Sequence, residues 1–201
     1  LGSVAEAVSA CSFVKTNIIC VKSGTYILLD QITWPSCAVI MEGGYKGTNC
    51  PGERASEKYP SVLRNVSNQI RLFDFQNVRD TVLRGFTIMG GNVNSQGGAI
   101  RITSSTNVLI DECKIALNNA GVGGVTGHGG GIFITNSIAT ISNCIIWGNR
   151  AYASGKGGGV YAIKGNTLIK NCLVMQNDAP AQGDGIYVES GADMTIENCT
   201  I

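Results

Sequence analysis

The chain has 201 residues, of which 14% are charged and 44% apolar, and its formal net charge is +1 at neutral pH. That balance excludes a disordered segment, and without a basic stripe it excludes nucleic acid as the main partner. No apolar run approaches the roughly 20 residues of a membrane helix, so no membrane insertion by this segment is expected. The 27 glycines follow no Gly-X-Y period, which excludes collagen and points to many tight corners.

The chain opens on Ser3-Val4-Ala5-Glu6, a capping box. Val4, Ala7, Val8 and Cys11 follow at helical spacing on one face. A short helix of this kind suits a cap over the open end of a sheet stack. Strand-like runs come next at 17–21, 26–30 and 38–42, separated by turns at 22–24 and 43–47. Residues 48–60 are polar and hold two prolines, and so read as an excursion loop. Strands resume at 61–66 and 70–75. Residues 81–89, TVLRGFTIM, look like a degenerate repeat with Gly85 in the place a cysteine takes later.

From Gly97 one unit recurs. GGAIRITSSTNVLIDECKIALNNA starts at Gly97, GGGIFITNSIATISNCIIWGNRA at Gly129 and GGGVYAIKGNTLIKNCLVMQNDA at Gly157; an incomplete copy, GDGIYVESGADMTIENCTI, starts at Gly183. Each has a glycine cluster, a short strand, a polar corner, a second strand running through a cysteine, and an Asn-x-Ala corner. Cys113, Cys144, Cys172 and Cys199 hold equivalent positions, spaced by 31, 28 and 27 residues. Asn118, Asn149 and Asn177 each follow their cysteine by five residues. The links at 121–130, 152–158 and 180–184 vary in length while the strands stay constant, as in a solenoid.

No run is long or periodic enough for a helix of about 10–12 residues. One unit cannot bury its apolar face alone, whereas coiling stacks each strand on its equivalent about 4.8 Å away. The expected fold is therefore all-β, a right-handed parallel β-helix with a short N-terminal capping helix. It forms a single domain over 1–201: cap, first coils and excursion loop at 1–60, degenerate coils at 61–96, and regular repeats at 97–201, the last incomplete. The length suits roughly seven coils. Leu1 is not a usual start and Ile201 falls inside a repeat, so the chain reads as a piece of a longer protein.

Stacking turns equivalent residues into interior ladders, one of Cys113, Cys144, Cys172 and Cys199, another of Asn118, Asn149 and Asn177. The cysteines read as packing, because stacked equivalents form a row and do not converge on a metal. Cys11, Cys20, Cys37 and Cys50 lie outside the repeats and read as one or two disulfides of a secreted protein, with three pairings open. Asn65, in Asn65-Val66-Ser67, is the expected glycan acceptor. The only histidine, His128, lies in a link without a Ser or Cys partner and reads as surface. Trp147 suits either an exposed aromatic contact or a wall residue. Asp111, Asp178, Asp184 and Asp193 fall at different coil positions, so no carboxylate pair for glycoside chemistry is expected. An acidic or cation site is conceivable only around Asp178, Asp184 and Lys156. The glycine clusters lead into strands, unlike a phosphate-binding loop, and no cofactor, metal or catalytic residue is assigned.

Gly97-Gly98-Ala99-Ile100 and its equivalents, with the hydrophobic-x-x-Asn elements Ile115–Asn118, Ile146–Asn149 and Val174–Asn177, resemble the repeats of chlamydial-type polymorphic outer-membrane proteins. Here Ile or Val stands where that family usually has Phe. Val21–Tyr26, Gly43–Gly47 and Leu83–Ile88 resemble the first half of secreted bacterial right-handed β-helix proteins. The resemblance implies a pectate-lyase-like β-helix, extracellular or at a cell surface, with adhesion as the usual role. The expected function is a non-catalytic adhesin or structural, filament-forming module. Its partners would be proteins or surface glycans, with end-to-end self-association as a further contact. The alternative is a carbohydrate-active or carbohydrate-binding β-helix.

Overall fold

The computed structural model describes residues 3–11, 16–47, 52–66 and 69–201. Helix α1 (Val4–Ser9) is short and held by its capping box: Ser3 Oγ accepts from Glu6 N at 3.2 Å, and Ser3 N donates to Glu6 Oε2 at 3.0 Å. Val4 and Val8 are buried, and the helix contacts the first and third strands.

Everything after the helix coils. Strands β1 (Asn17–Lys22) and β2 (Gly24–Ile27) begin the stack, followed by β3 (Ile32–Thr33), β4 (Val39–Tyr45) and β5 (Ser61–Arg64). The next coil holds β6 (Phe73–Gln76), β7 (Arg79–Arg84), β8 (Phe86–Met89) and β9 (Asn92–Val93). After it come β10 (Ile100–Thr103), β11 (Thr106–Asp111), β12 (Lys114–Ala116) and β13 (Asn119–Ala120). Then follow β14 (Ile132–Ser142), β15 (Ile145–Trp147) and β16 (Arg150–Ala151), then β17 (Val160–Lys170) and β18 (Leu173–Met175), and finally β19 (Ile186–Val188) and β20 (Ala192–Glu197). All named strands pair in parallel with their equivalents one coil away. The described residues form an 11-stranded sheet, a 6-stranded sheet and a 3-stranded sheet that wrap one core. The fold is a parallel β-solenoid of about five turns. Length alone suggests more, because α1 and the excursion loop use residues that build no coil.

In-register pairing makes the core a set of columns. Ile32, Phe73, Ile100, Ile132 and Val160 form one, and Leu63, Ile88, Ile115, Ile146 and Val174 another. These side chains are buried, and each contributes about 1.5–3 kcal/mol by leaving water. Beside β3 the interior holds Trp34, with ring centroids 4.6 Å from Phe75 and 6.0 Å from Phe73.

The corners differ from the sequence expectation. The second strand does not run through the cysteine. It ends at a left-handed residue just before it: Glu112 (φ 49°), Asn143 (53°), Asn171 (53°) and Asn198 (50°). Asn tolerates that region better than most residues, which explains the recurrent Asn-Cys pair. By register, Gly85 (φ 75°) stands at this corner and Phe86 holds the cysteine's place. Conversely, β14 and β17 run unbroken through the expected polar corner. The glycine cluster sits where coils approach most closely: a Cβ on Gly131 would lie 2.7 Å from Gly159 O and 3.2 Å from Asn149 Cγ.

Candidate functional site

The structure places the repeat residues inside. Asn118 and Asn149 are fully buried and Asn177 nearly so. Asn149 Oδ1 accepts from Asn118 N at 3.1 Å and Asn118 Nδ2 at 2.9 Å; Asn177 Oδ1 does the same for Asn149 at 3.0 Å and 3.0 Å. Gly91 N donates to Asn118 Oδ1 at 2.8 Å, so the row docks on the coil before it. Cys113, Cys144, Cys172 and Cys199 are free thiols in line. Cys144 N donates to Cys172 Sγ and Cys172 N to Cys199 Sγ, each at 3.4 Å. Neighbouring thiols that share hydrogen bonds, together with burial, push the Cys144 thiol well up, so it is a poor nucleophile.

The remaining sequence candidates scatter. Cys11 and Cys37 are free thiols, Cys20 is disulfide-bonded, and Cys50 lies outside the described residues. Asn65 is 6% exposed and its Nδ2 donates to Gly90 O at 3.1 Å, so the folded chain does not present it to a glycan. Asn198, in a second Asn-x-Ser/Thr sequence, Asn198-Cys199-Thr200, is exposed. No metal site assembles around Asp178, Asp184 and Lys156. Arg150 Nε binds Asp178 at 2.9 Å, Asp184 Oδ1 accepts from Ala179 N at 3.0 Å, and Lys156 turns towards Glu189. Asp111 is bound by Arg84 Nε (2.9 Å), Ser142 Oγ (2.6 Å) and Asn143 Nδ2 (2.8 Å). Burial raises its pKa, but these three donors together hold the carboxyl below its usual range.

A concave surface assembles on the outside of the six-stranded sheet. Its wall is the excursion loop, clipped to β4: Lys46 N donates to Glu53 O at 3.1 Å and Ala55 N to Gly44 O at 2.9 Å. Gly44 (φ 87°) permits this, since a Cβ there would lie 2.8 Å from Ser56 Cα. Arg54 anchors the wall to the coils. Its Nε donates to Gly43 O at 3.0 Å, and its Nη2 binds Glu112 Oε2 at 2.7 Å. Gly85 leaves the space that this guanidinium occupies. Between wall and sheet runs a groove of about 690 Å³, lined by Arg54, Glu57, Thr87, Glu112, Lys114, Asn143 and Ile145.

Thr87, Lys114 and Ile145, of the outward column that continues to Leu173, line the floor of the groove; a second column, Met89–Ala116–Trp147–Met175, runs beside it. Ile145 and Met175 are 41% and 39% exposed. Trp147 is half-buried. Its Nε1 donates to Gln176 Oε1, and Lys114 Nζ lies 5.8 Å from its ring centre. The groove thus combines two cationic and two anionic groups with an aliphatic floor residue, and the Trp147 ring lies beside it against Lys114. Ligand pockets commonly pair apolar walls with a few placed polar groups.

A second cluster lies under the links. Phe133, Tyr161 and Tyr187 occupy one outward column, with ring centroids 5.3 Å and 5.7 Å apart. His128 stacks on Tyr161 at 4.6 Å, and its Nδ1 accepts from Lys156 N at 3.0 Å. Lys156 Nζ donates to Tyr187 Oη at 2.9 Å and binds Glu189 at 3.2 Å, while Tyr161 Oη donates to Glu189 at 3.2 Å. Burial, then the charge of Glu189, pushes the Tyr161 phenol up to about 12. Burial, then Lys156, pushes His128 down. The rings face one another and the links cover them, so this cluster fastens links to coils. His128 is a packed link anchor, not a free surface residue.

A family described as the right handed beta helix region matches residues 61–201. The chain belongs to the right-handed β-helix family. No curated protein matches it. No solved structure matches it either.

In this right-handed β-helix the repeat gave Glu112, Lys114, Asn143 and Ile145 their places in the coils, but nothing in it pointed to Arg54 as their partner. Arg54 and Glu112 are 58 residues apart, and only the stacking joins them. The aromatic column was readable in principle: Phe133, Tyr161 and Tyr187 each stand four residues after the first glycine of their repeat.

Proposed function

We propose that the chain is a non-catalytic recognition module of an extracellular or cell-surface β-helix protein, and that it binds glycan in the groove beside the excursion loop. The observation that carries this reading is the groove itself, a preformed cleft with Ile145 on its floor and Arg54, Lys114, Glu57 and Glu112 around it, and with the Trp147 ring alongside, 5.8 Å from Lys114 Nζ. Sugars offer apolar ring faces and rings of hydroxyls, which such a surface can meet with an aromatic ring and hydrogen-bonding groups. Arg54 and Glu112 already neutralise each other, and the two further charges of the lining, Lys114 and Glu57, are of opposite sign. The groove therefore suits an uncharged glycan, and binding should be nearly insensitive to salt. The pectate-lyase-like and polymorphic outer-membrane protein resemblances support a surface role of this kind.

Affinity electrophoresis through gels containing a panel of neutral and acidic polysaccharides tests it. Retardation by a neutral polysaccharide, lost in Trp147→Ala and Lys114→Ala, is the expected outcome; unchanged mobility in every gel defeats the reading. A carbohydrate-active site is the second reading, favoured by Glu57 and Glu112 lining one groove. Product release that disappears in Glu57→Gln would put it first.

A further inference from the structure

The residue before the first glycine of each repeat reaches towards the next coil. Gln96, His128 and Lys156 stand before Gly97, Gly129 and Gly157. Gln96 Oε1 accepts from His128 N, and His128 Nδ1 accepts from Lys156 N at 3.0 Å. Two successive coils thus share one bond, from a side-chain acceptor to the backbone N–H at the equivalent place in the next coil. A backbone N–H can only donate, so His128 is neutral here and carries its proton on Nε2. The two acceptors differ in one respect. An amide oxygen accepts at every physiological pH, whereas an imidazole that takes up a proton has no acceptor left. The His128 ring also stacks on Tyr161, with centroids 4.6 Å apart, and Tyr161 is 4% exposed beneath it.

We propose that His128 is an acid-sensitive clip: protonation turns Nδ1 from acceptor to donor, breaks the bond to Lys156 N, and lifts the ring of the 121–130 link off Tyr161. Two N–H donors would otherwise face each other at 3.0 Å. The surrounding charges set the pH. Burial and Lys156, on the next link, oppose a charged imidazole, while Glu189, just after β19, favours one; the first two prevail and hold its pKa below the usual value. The phenols of Tyr161 and Tyr187 are bonded to Glu189 and Lys156 respectively. On the coils before, Arg71 is held by Gln96 O and Gly97 O, and Arg101 by Asp74. The folded pKa lies below the unfolded value of about 6.5, so the clip's contribution is complete above that value and is lost as pH falls through the folded one. The change is local, because Gly97 N still donates to His128 O and Gly129 N to Lys156 O. Its result is an outward column, Phe133, Tyr161 and Tyr187, with the middle ring uncovered.

NMR of the folded chain tests the clip, and the single histidine makes the imidazole signal unambiguous. The expected titration midpoint of His128 lies below about 6.5. Over the same range, from about pH 7.5 to about pH 5, exchange protection of the Lys156 amide should fall by about tenfold or more, after correction for the intrinsic pH dependence of exchange. His128→Gln puts at 128 the residue that makes the equivalent bond at 96, and its Lys156 protection should stay constant over that range. A His128 midpoint at or above about 6.5 would overturn the proposal. So would wild-type protection that does not fall, a result that needs no variant, or an equal fall in His128→Gln.

Discussion

At the scale of single residues, stability rests on a few buried polar groups with complete hydrogen bonding. Asn149 is the clearest: Oδ1 accepts two donors from Asn118, and Nδ2 donates to Ile115 O at 2.9 Å and to Asn177 Oδ1. Asn149→Ala strands the buried Asn118 N–H and takes a donor from Ile115 O, and should cost about 3 kcal/mol in urea unfolding. Asp111 gives a pH signature. Its folded pKa lies below the unfolded value, so its contribution is complete above the unfolded pKa of about 3.9 and is lost as pH falls through the folded value. Urea midpoints of the wild type should fall between pH 6 and pH 3, and those of Asp111→Asn should fall less. Identical pH profiles would show that Asp111 carries no such linkage. The Asn and Cys positions were legible because they recur at constant offsets. Gly85 and Phe86 were misaligned by one position, because the corner before the cysteine depends on a left-handed φ that no hydrophobic pattern records.

At the scale of elements, the coil is set by columns and corners together. Outward residues also form columns with matched charge. Arg84 lies between Glu42 (3.2 Å) and Asp111 (2.9 Å), Lys170 pairs in register with Glu197, and Arg101 Nε binds Asp74 at 2.8 Å. A slip of one residue would turn every such column inward, so these pairs and the apolar alternation specify the same register. The glycine corners add a steric condition. Gly131→Ala puts a methyl group against Gly159 O and Asn149, whereas Gly47→Ala meets nothing within 4 Å. Thermal unfolding should fall by several degrees for Gly131→Ala and stay within about 1 °C for Gly47→Ala. Equal Tm values would mean that the coils part more easily than the geometry implies. Strand existence was readable from the sequence for most elements. Strand ends were not, since the polar residues at 136–137 look like a break yet β14 continues through them.

At the scale of the whole molecule, the stack places surfaces that are distant in sequence side by side. The excursion loop was recognisable as an irregular polar segment, but not the sheet it would wall, because that depends on which coils follow β4. The groove is therefore a product of the architecture, joining residues 54–60 to residues 85–87, 112–114, 143 and 145. The links make the opposite case. Their lengths vary from coil to coil, yet His128 and Lys156 are tied into the aromatic column. Balanced charge in the groove predicts that glycan affinity changes by about twofold or less between low and moderate salt. Titrations at two ionic strengths check this, and a steep loss would point to an acidic ligand.

The most direct test is amide hydrogen exchange of the protein with and without a polysaccharide that retards it. Added protection confined to residues 52–60, 112–117 and 143–147 is the predicted result. Protection concentrated in the links at 121–130 and 152–158, with the groove unchanged, would contradict the account.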